Sequence, residues 1–103
     1  MAYARIAVIH LREDRDPLSV AEAIKDKLFA MLRGQAGFIN YAMVKTGEHS
    51  VTVITTWETR EQAEEGVRRA DEFNQSLAAM IEPAAIEASL GEVVLQDDAR
   101  ARA

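Results

Sequence analysis

The stretch FINYAMVKTGEHSVTVITTWETREQA, residues 38–63, decides the fold. Its first part is rich in β-branched and aromatic residues. A single turn signal, Thr46-Gly47-Glu48-His49, interrupts it, so it reads as a hairpin of two strands over 38–45 and 50–58. A two-residue loop at Gly47-Glu48 sets Thr46 against His49, and a four-residue loop sets Lys45 against Ser50; both give the same register. Phe38 is then expected opposite Trp57, Asn40 opposite Thr55 and Ala42 opposite Val53 on one face, with Tyr41 opposite Ile54 and Met43 opposite Thr52 on the other. Directly after the hairpin, Thr59-Arg60-Glu61-Gln62 matches a capping box, in which the threonine and glutamine side chains each satisfy an end group of a helix.

Downstream, Ala63, Val67, Ala70, Leu77 and Met80 continue an apolar stripe, with Phe73 nearby. Gly66 interrupts it and is expected to mark a bend, since glycine is about 1 kcal/mol worse than alanine inside a helix. Pro83 sets the end of this helix near Glu82. A last strand is expected over 86–95, carrying Ile86, Leu90, Val93, Val94 and Leu95, and residues 97–103 form a charged tail expected to fray. Upstream, Gly34 closes a helix over 17–33 whose apolar residues Val20, Ile24, Leu28, Met31 and Leu32 recur at spacings of three and four. Asp16 and Pro17 suit its cap and first position. Ile6, Val8, Ile9 and Leu11 mark a strand over 3–11.

The order is βαββαβ, a split βαβ arrangement: an α+β, ferredoxin-like domain with a four-stranded antiparallel sheet, one domain over 1–96. Its two helices cover one face of the sheet. The hairpin is apolar on both faces, with Val44, Ala42, Phe38, Val51, Val53 and Trp57 on one and Ile39, Tyr41, Met43 and Ile54 on the other. A second apolar face implies a partner sheet, and a two-fold homodimer makes one patch complementary to itself.

Bulk properties narrow the function. The 103 residues contain no cysteine, which excludes disulfides, thiol catalysis and thiolate metal sites and fits a cytoplasmic protein. The net charge of −5 leaves no basic face for nucleic acid. No apolar run approaches the ~20 residues that span a bilayer, and no secretory leader is expected from Met1-Ala2-Tyr3-Ala4-Arg5.

Three elements resemble the antibiotic-biosynthesis monooxygenase family: Gly37-Phe38 opening the second strand, the run Val51–Thr59 with its Trp57-Glu58-Thr59 end, and Glu61-Gln62-Ala63 just beyond. With the element order, the resemblance covers residues 3–95. It implies a dimeric α/β barrel in which the sheets of two ferredoxin-like units face each other and each unit keeps a cavity between sheet and helices. Some members insert oxygen into phenols or quinols with no metal or flavin, so no cofactor is expected. Heme-degrading members carry an asparagine, a tryptophan and a histidine at positions that fall near Ala7, Gly66 and Gln75 or Ser76 here. All three are missing, and heme degradation is not expected.

The resemblance and the residue types together select the candidate site. His10, near the end of the first strand and in phase with Ala4, Ile6 and Val8, is a candidate general base toward a phenol. Asn40 is a candidate for holding a phenolate or reduced oxygen. Phe38, Thr55 and Trp57 would line a pocket for a small aromatic molecule, mostly apolar with one or two fixed polar groups. His49 is expected at the hairpin turn in solvent, and two distant histidines make no metal site. Arg5 shares the other face of the first strand with Tyr3, Ala7, Ile9 and Leu11, where it is expected to reach an edge carboxylate or solvent or, less simply, an acidic substrate. Glu58, Glu61, Glu64 and Glu65 form a solvated face.

Overall fold

The computed structural model describes residues 2–76 and 85–97. The elements run β1 (Tyr3–His10), α1 (Pro17–Arg33), β2 (Phe38–Gly47), β3 (Ser50–Trp57), α2 (Arg60–Ser76) and β4 (Ala85–Glu92). The strands form one antiparallel sheet in the order β2-β3-β1-β4, so β1 and β3 are central and both split βαβ halves interleave. This is the expected ferredoxin-like arrangement. The expected helix end at Glu82-Pro83, the residues Leu77 and Met80, and the tail beyond Asp97 lie outside the described residues.

Local chemistry explains the helix starts. The Asp16 carboxylate accepts a hydrogen bond from the Ser19 backbone N–H at 3.0 Å, and Pro17 follows as the first helical residue of α1. At α2 the capping box forms reciprocally: Thr59 Oγ1 accepts from the Gln62 N–H at 3.2 Å, and Gln62 Oε1 accepts from the Thr59 N–H at 3.1 Å. Ile24, Leu28 and Leu32, one helical turn apart, bury against Leu11 with Ile9, Met43 and Phe73 packed around them. Each such side chain removed from water stabilises the fold by about 1.5–3 kcal/mol. On its outer face α2 carries Arg68 between Glu65 and Glu72, and Arg60 beside Glu64, as solvated pairs.

The hairpin register differs from expectation by one residue. Phe38 does face Trp57, but Asn40 faces Thr56, Tyr41 faces Thr55, Ala42 faces Ile54 and Met43 faces Val53. The register shifts between Phe38 and Asn40 and again between Lys45 and Gly47, so Ile39 and Thr46 are extra residues on the β2 side. The loop is Glu48-His49, with Gly47 opposite Ser50. Because side chains alternate along a strand, the first bulge turns the middle of β2 over. Tyr41 and Met43 join Val53, Thr55 and Trp57 under the helices, while Ala42 and Val44 join Ile54 on the open face.

One further expectation is corrected. The last strand ends at Glu92, not at residue 95. Among the described residues its only neighbour is β1, whose first residue, Tyr3, faces Glu92; one more backbone bond, from the Val93 N–H to the Ala2 carbonyl, ends the ladder. Val94 and Leu95 lie beyond it, exposed. At Gly66, where a bend was expected, α2 continues as one helix from Arg60 to Ser76. The glycine is buried against Trp57, and a methyl group at that position would fall on the indole ring.

Candidate functional site

The site grows out of one row of the sheet. In the observed register Tyr41 lies beside Thr55, Thr55 beside Arg5, and Arg5 beside Leu90. Three polar side chains from three strands therefore stand together on the face that the helices cover. The next row on one side holds Trp57 and Phe38; the row on the other side holds Met43, Val53 and Ala7. Above them α1 contributes Ile24 and Leu28, and α2 contributes Gly66, Ala70 and Phe73.

A cavity remains between these layers, with about 60 Å3 open to the centre of a water-sized sphere. One water needs about 10–15 Å3 of such space, so the cavity has room for several. Its walls are aliphatic and aromatic, and its polar side chains are Arg5, Tyr41 and Thr55. That composition, apolar walls with a few convergent polar groups, is what a small-molecule site requires.

One end wall of the cavity is Trp57. It is 1% exposed, and its indole N–H donates to Gln35 Oε1 at 2.8 Å. Gln35 sits just past α1, where its Nε2 lies 2.9 Å from Met31 Sδ. The indole plane is therefore held from one side by the α1 terminus and pressed from the other by Gly66.

The polar row has an electrostatic character of its own. Arg5 is 8% exposed. Among the described residues its guanidinium makes no ion pair and no side-chain hydrogen bond, so the edge carboxylate that the sequence led one to expect is not found among them. Thr55 and Tyr41 are likewise without side-chain hydrogen-bond partners among the described residues. Burial pushes the Tyr41 phenol up to about 12, with the Arg5 charge opposing part of that shift. Tyr41 thus stays a hydroxyl donor at ordinary pH.

The residues singled out from the sequence divide into two groups. Thr55 and Trp57 line the cavity. Phe38 packs at its margin, paired with Trp57 and touching the α1 core. Asn40 and His10 stand apart from it. Asn40 is exposed on the edge strand β2, opposite Thr56 rather than Thr55, and borders a shallow groove with Phe29 and Arg33. His10 lies on the open face at the far end of β1, with Nε2 3.9 Å from a Glu87 carboxylate oxygen and both side chains well exposed. His49 is half-buried rather than solvated, its Nδ1 3.2 Å from the Arg15 carbonyl oxygen at the hairpin turn. Arg5 and Tyr41 are the site residues that the sequence reading did not select. Alternation put Arg5 in phase with Ala7, Ile9 and Leu11, which was the available signal; Tyr41 was hidden by the bulge at Ile39.

Among the described residues no three His, Asp or Glu side chains gather as metal ligands, and no helix is long and apolar enough to cross a membrane.

No protein-family model and no curated protein sequence matches the chain. Solved structures do. A variant of SnoaB, a cofactor-independent oxygenase from Streptomyces nogalater, superposes with a TM-score of 0.71 at 13% identity, covering 92% of this chain and 95% of that one. A Bordetella bronchiseptica protein provisionally named an antibiotic biosynthesis monooxygenase gives 0.69 at 18% identity, over 91% and 98% of the two chains. A dimeric ferredoxin-like protein from an uncultured marine organism gives 0.70 at 14% identity, over 94% and 91%. The chain has the fold of these proteins, and the resemblance to antibiotic-biosynthesis monooxygenases read from its motifs holds at that level.

Proposed function

We propose that the protein is a cofactor-independent monooxygenase acting, as a homodimer, on a small phenolic or quinol-like compound held in the cavity between sheet and helices. The observation that carries the reading is the cavity itself: largely enclosed, apolar, and crossed by the Tyr41-Thr55-Arg5 row. The likeness in fold to SnoaB supports the oxygenase class. The open face of the sheet, apolar at Ile6, Val44 and Ile54, supports the dimer, as does the dimeric ferredoxin-like neighbour. A chain without cysteine suits a reducing compartment, which supports a cytoplasmic location.

The chemistry needs no outside reductant. A phenol and dioxygen give a quinone and water: the ring supplies all four electrons, one oxygen atom enters it, and the other leaves as water with the two hydrogens lost. The protein's share is to bind the ring, favour its ionised form and exclude water. A buried guanidinium at Arg5 lowers the pKa of a phenol beside it, and the Thr55 and Tyr41 hydroxyls can donate to the oxygen. With His10 and Asn40 outside the cavity, the proton leaves to solvent-derived base.

The test is oxygen consumption with single-ring phenols and hydroquinones, followed beside quinone formation in buffer containing a chelator. Uptake above autoxidation is expected, one oxygen per quinone when the substrate is a monophenol. Ala70→Phe, which fills the cavity from α2, should lower it at least about tenfold. Uptake at the autoxidation rate, or uptake unmoved by the filling, refutes the assignment.

A second reading has one observation in its favour. Among the described residues no group that titrates near neutrality lines the cavity, since both histidines lie elsewhere. A non-catalytic binding protein would show saturable binding of the same compounds with no oxygen consumed.

A further inference from the structure

We infer that the cavity is selective for a single aromatic ring carrying an anionic oxygen, carboxylate or phenolate, and that Arg5 is the residue that binds that oxygen. The inference rests on reading the sheet–helix cavity as a ligand site, and it names the ligand class that such a site would take.

The charge comes from Arg5. A buried ion is tolerated when it is paired and hydrogen-bonded. Arg5 is more than nine-tenths buried on central strand β1, lines the cavity, and has no carboxylate or side-chain acceptor among the described residues. Its row neighbours offer no negative charge, because Thr55 is neutral and burial keeps Tyr41 protonated. The described side chains lining the cavity include no Asp or Glu. Among the described residues the positive charge is therefore uncompensated, and an anion in the cavity would supply the missing partner. A guanidinium fork favours planar oxyanions, which it can hold through two parallel hydrogen bonds. The Thr55 and Tyr41 hydroxyls, also unpartnered, lie one and two strands away in the same row and add further donors.

The size comes from the cavity. Its open space of about 60 Å3 is under half of the about 150 Å3 of an engineered apolar cavity that holds one benzene in another protein. The space is therefore at most that of one ring, seated as the side-chain walls give, and a fused second ring meets Trp57 on one side and Met43 and Val53 on the other.

The experiment is calorimetric titration of the full-length protein with four probes: benzoate, 4-nitrophenolate, neutral benzamide and 2-naphthoate, at a pH that ionises the acids. At least one single-ring anion should bind about tenfold or more tightly than benzamide, the size of one charge-assisted contact. The naphthoate should bind more weakly than benzoate. In Arg5→Met, which replaces an unpaired buried charge with an apolar chain of similar reach and should fold, the preference for anions should vanish while benzamide affinity is kept. Should that variant fail to fold, Arg5→Lys retains the charge without the fork and should retain a reduced preference. Equal binding of benzamide and both anions, an anion preference that survives Arg5→Met, absence of any single-ring binding, or tighter naphthoate binding would each overturn the inference. The relative affinity of benzoate and nitrophenolate distinguishes the two sources of the anionic oxygen. No turnover is read, so a protein that consumes no oxygen yet selects the anions would defeat the monooxygenase reading and leave this one standing.

Discussion

Truncating Trp57 to alanine is expected to destabilise the protein by about 3–5 kcal/mol, lowering Tm by at least about 12 °C for a domain of this size. The indole is the largest fully buried side chain among the described residues. It is the end wall of the cavity, the partner of Gln35, and the surface on which Gly66 packs. Its removal leaves a void that closes poorly, because β3 is central in the sheet. Trp57→Phe separates the contributions. It keeps most of the apolar volume but leaves Gln35 Oε1 without its donor, a loss of about 1–2 kcal/mol. Thermal or urea unfolding reads both. A Trp57→Ala loss under about 1 kcal/mol would mean that the indole does not close the cavity.

Ile54→Lys is expected to change the state of assembly rather than the fold. Ile54 is on the open face of β3, in one row with Ile6 and Ala42, and beside the row of Val8 and Val44. Ile6, Val44 and Ile54 are 37–49% exposed in the single chain. A lysine there is harmless in a monomer facing water. In a two-fold dimer it enters the contact twice, each time as an unpaired charge, at a penalty of at least about 3 kcal/mol, or more than a hundredfold in Kd. Sedimentation should give twice 11.4 kDa for the parent protein and 11.4 kDa for the variant, with unchanged circular dichroism. A parent protein that sediments as a single 11.4 kDa chain at micromolar concentration would contradict the dimer.

Much of this architecture was legible in the sequence because local signals agreed with one another. Asp16-Pro17 and Gly34 bracket α1, and the observed helix is Pro17–Arg33. Thr59 and Gln62 announce α2 by a mechanism that the structure reproduces bond for bond. The site was less legible, and the reason is mostly one residue. Both loop lengths considered for the hairpin imply the same register, so neither could reveal extra residues at Ile39 and Thr46. Without the bulges, Tyr41 and Met43 fall on the wrong face relative to Val53 and Thr55. Asn40 then becomes Thr55's partner, a place that belongs to Tyr41.

Arg5 and Gly66 show a different limit. Strand alternation put Arg5 on the right face, but whether a carboxylate waits there depends on what the other strands bring, which is a property of the assembled sheet. Gly66 reads as a helix weakness until the indole beneath it is known. In both cases the residue type looks like a local defect and is explained by the contact it makes or leaves open across the core. The last strand was overextended for a similar reason: Val93, Val94 and Leu95 have strand propensity, but among the described residues the ladder with β1 ends at the bond from Val93 to Ala2.

The most direct test of the account uses the protein's single tryptophan, because Trp57 is a wall of the proposed site. Titration with a single-ring phenol or benzoate, followed by tryptophan emission, should give a saturable change that disappears in Ala70→Phe. Emission that ignores every such compound, or a change that persists after the cavity is filled, would show that the space between sheet and helices is not where this protein meets its ligand.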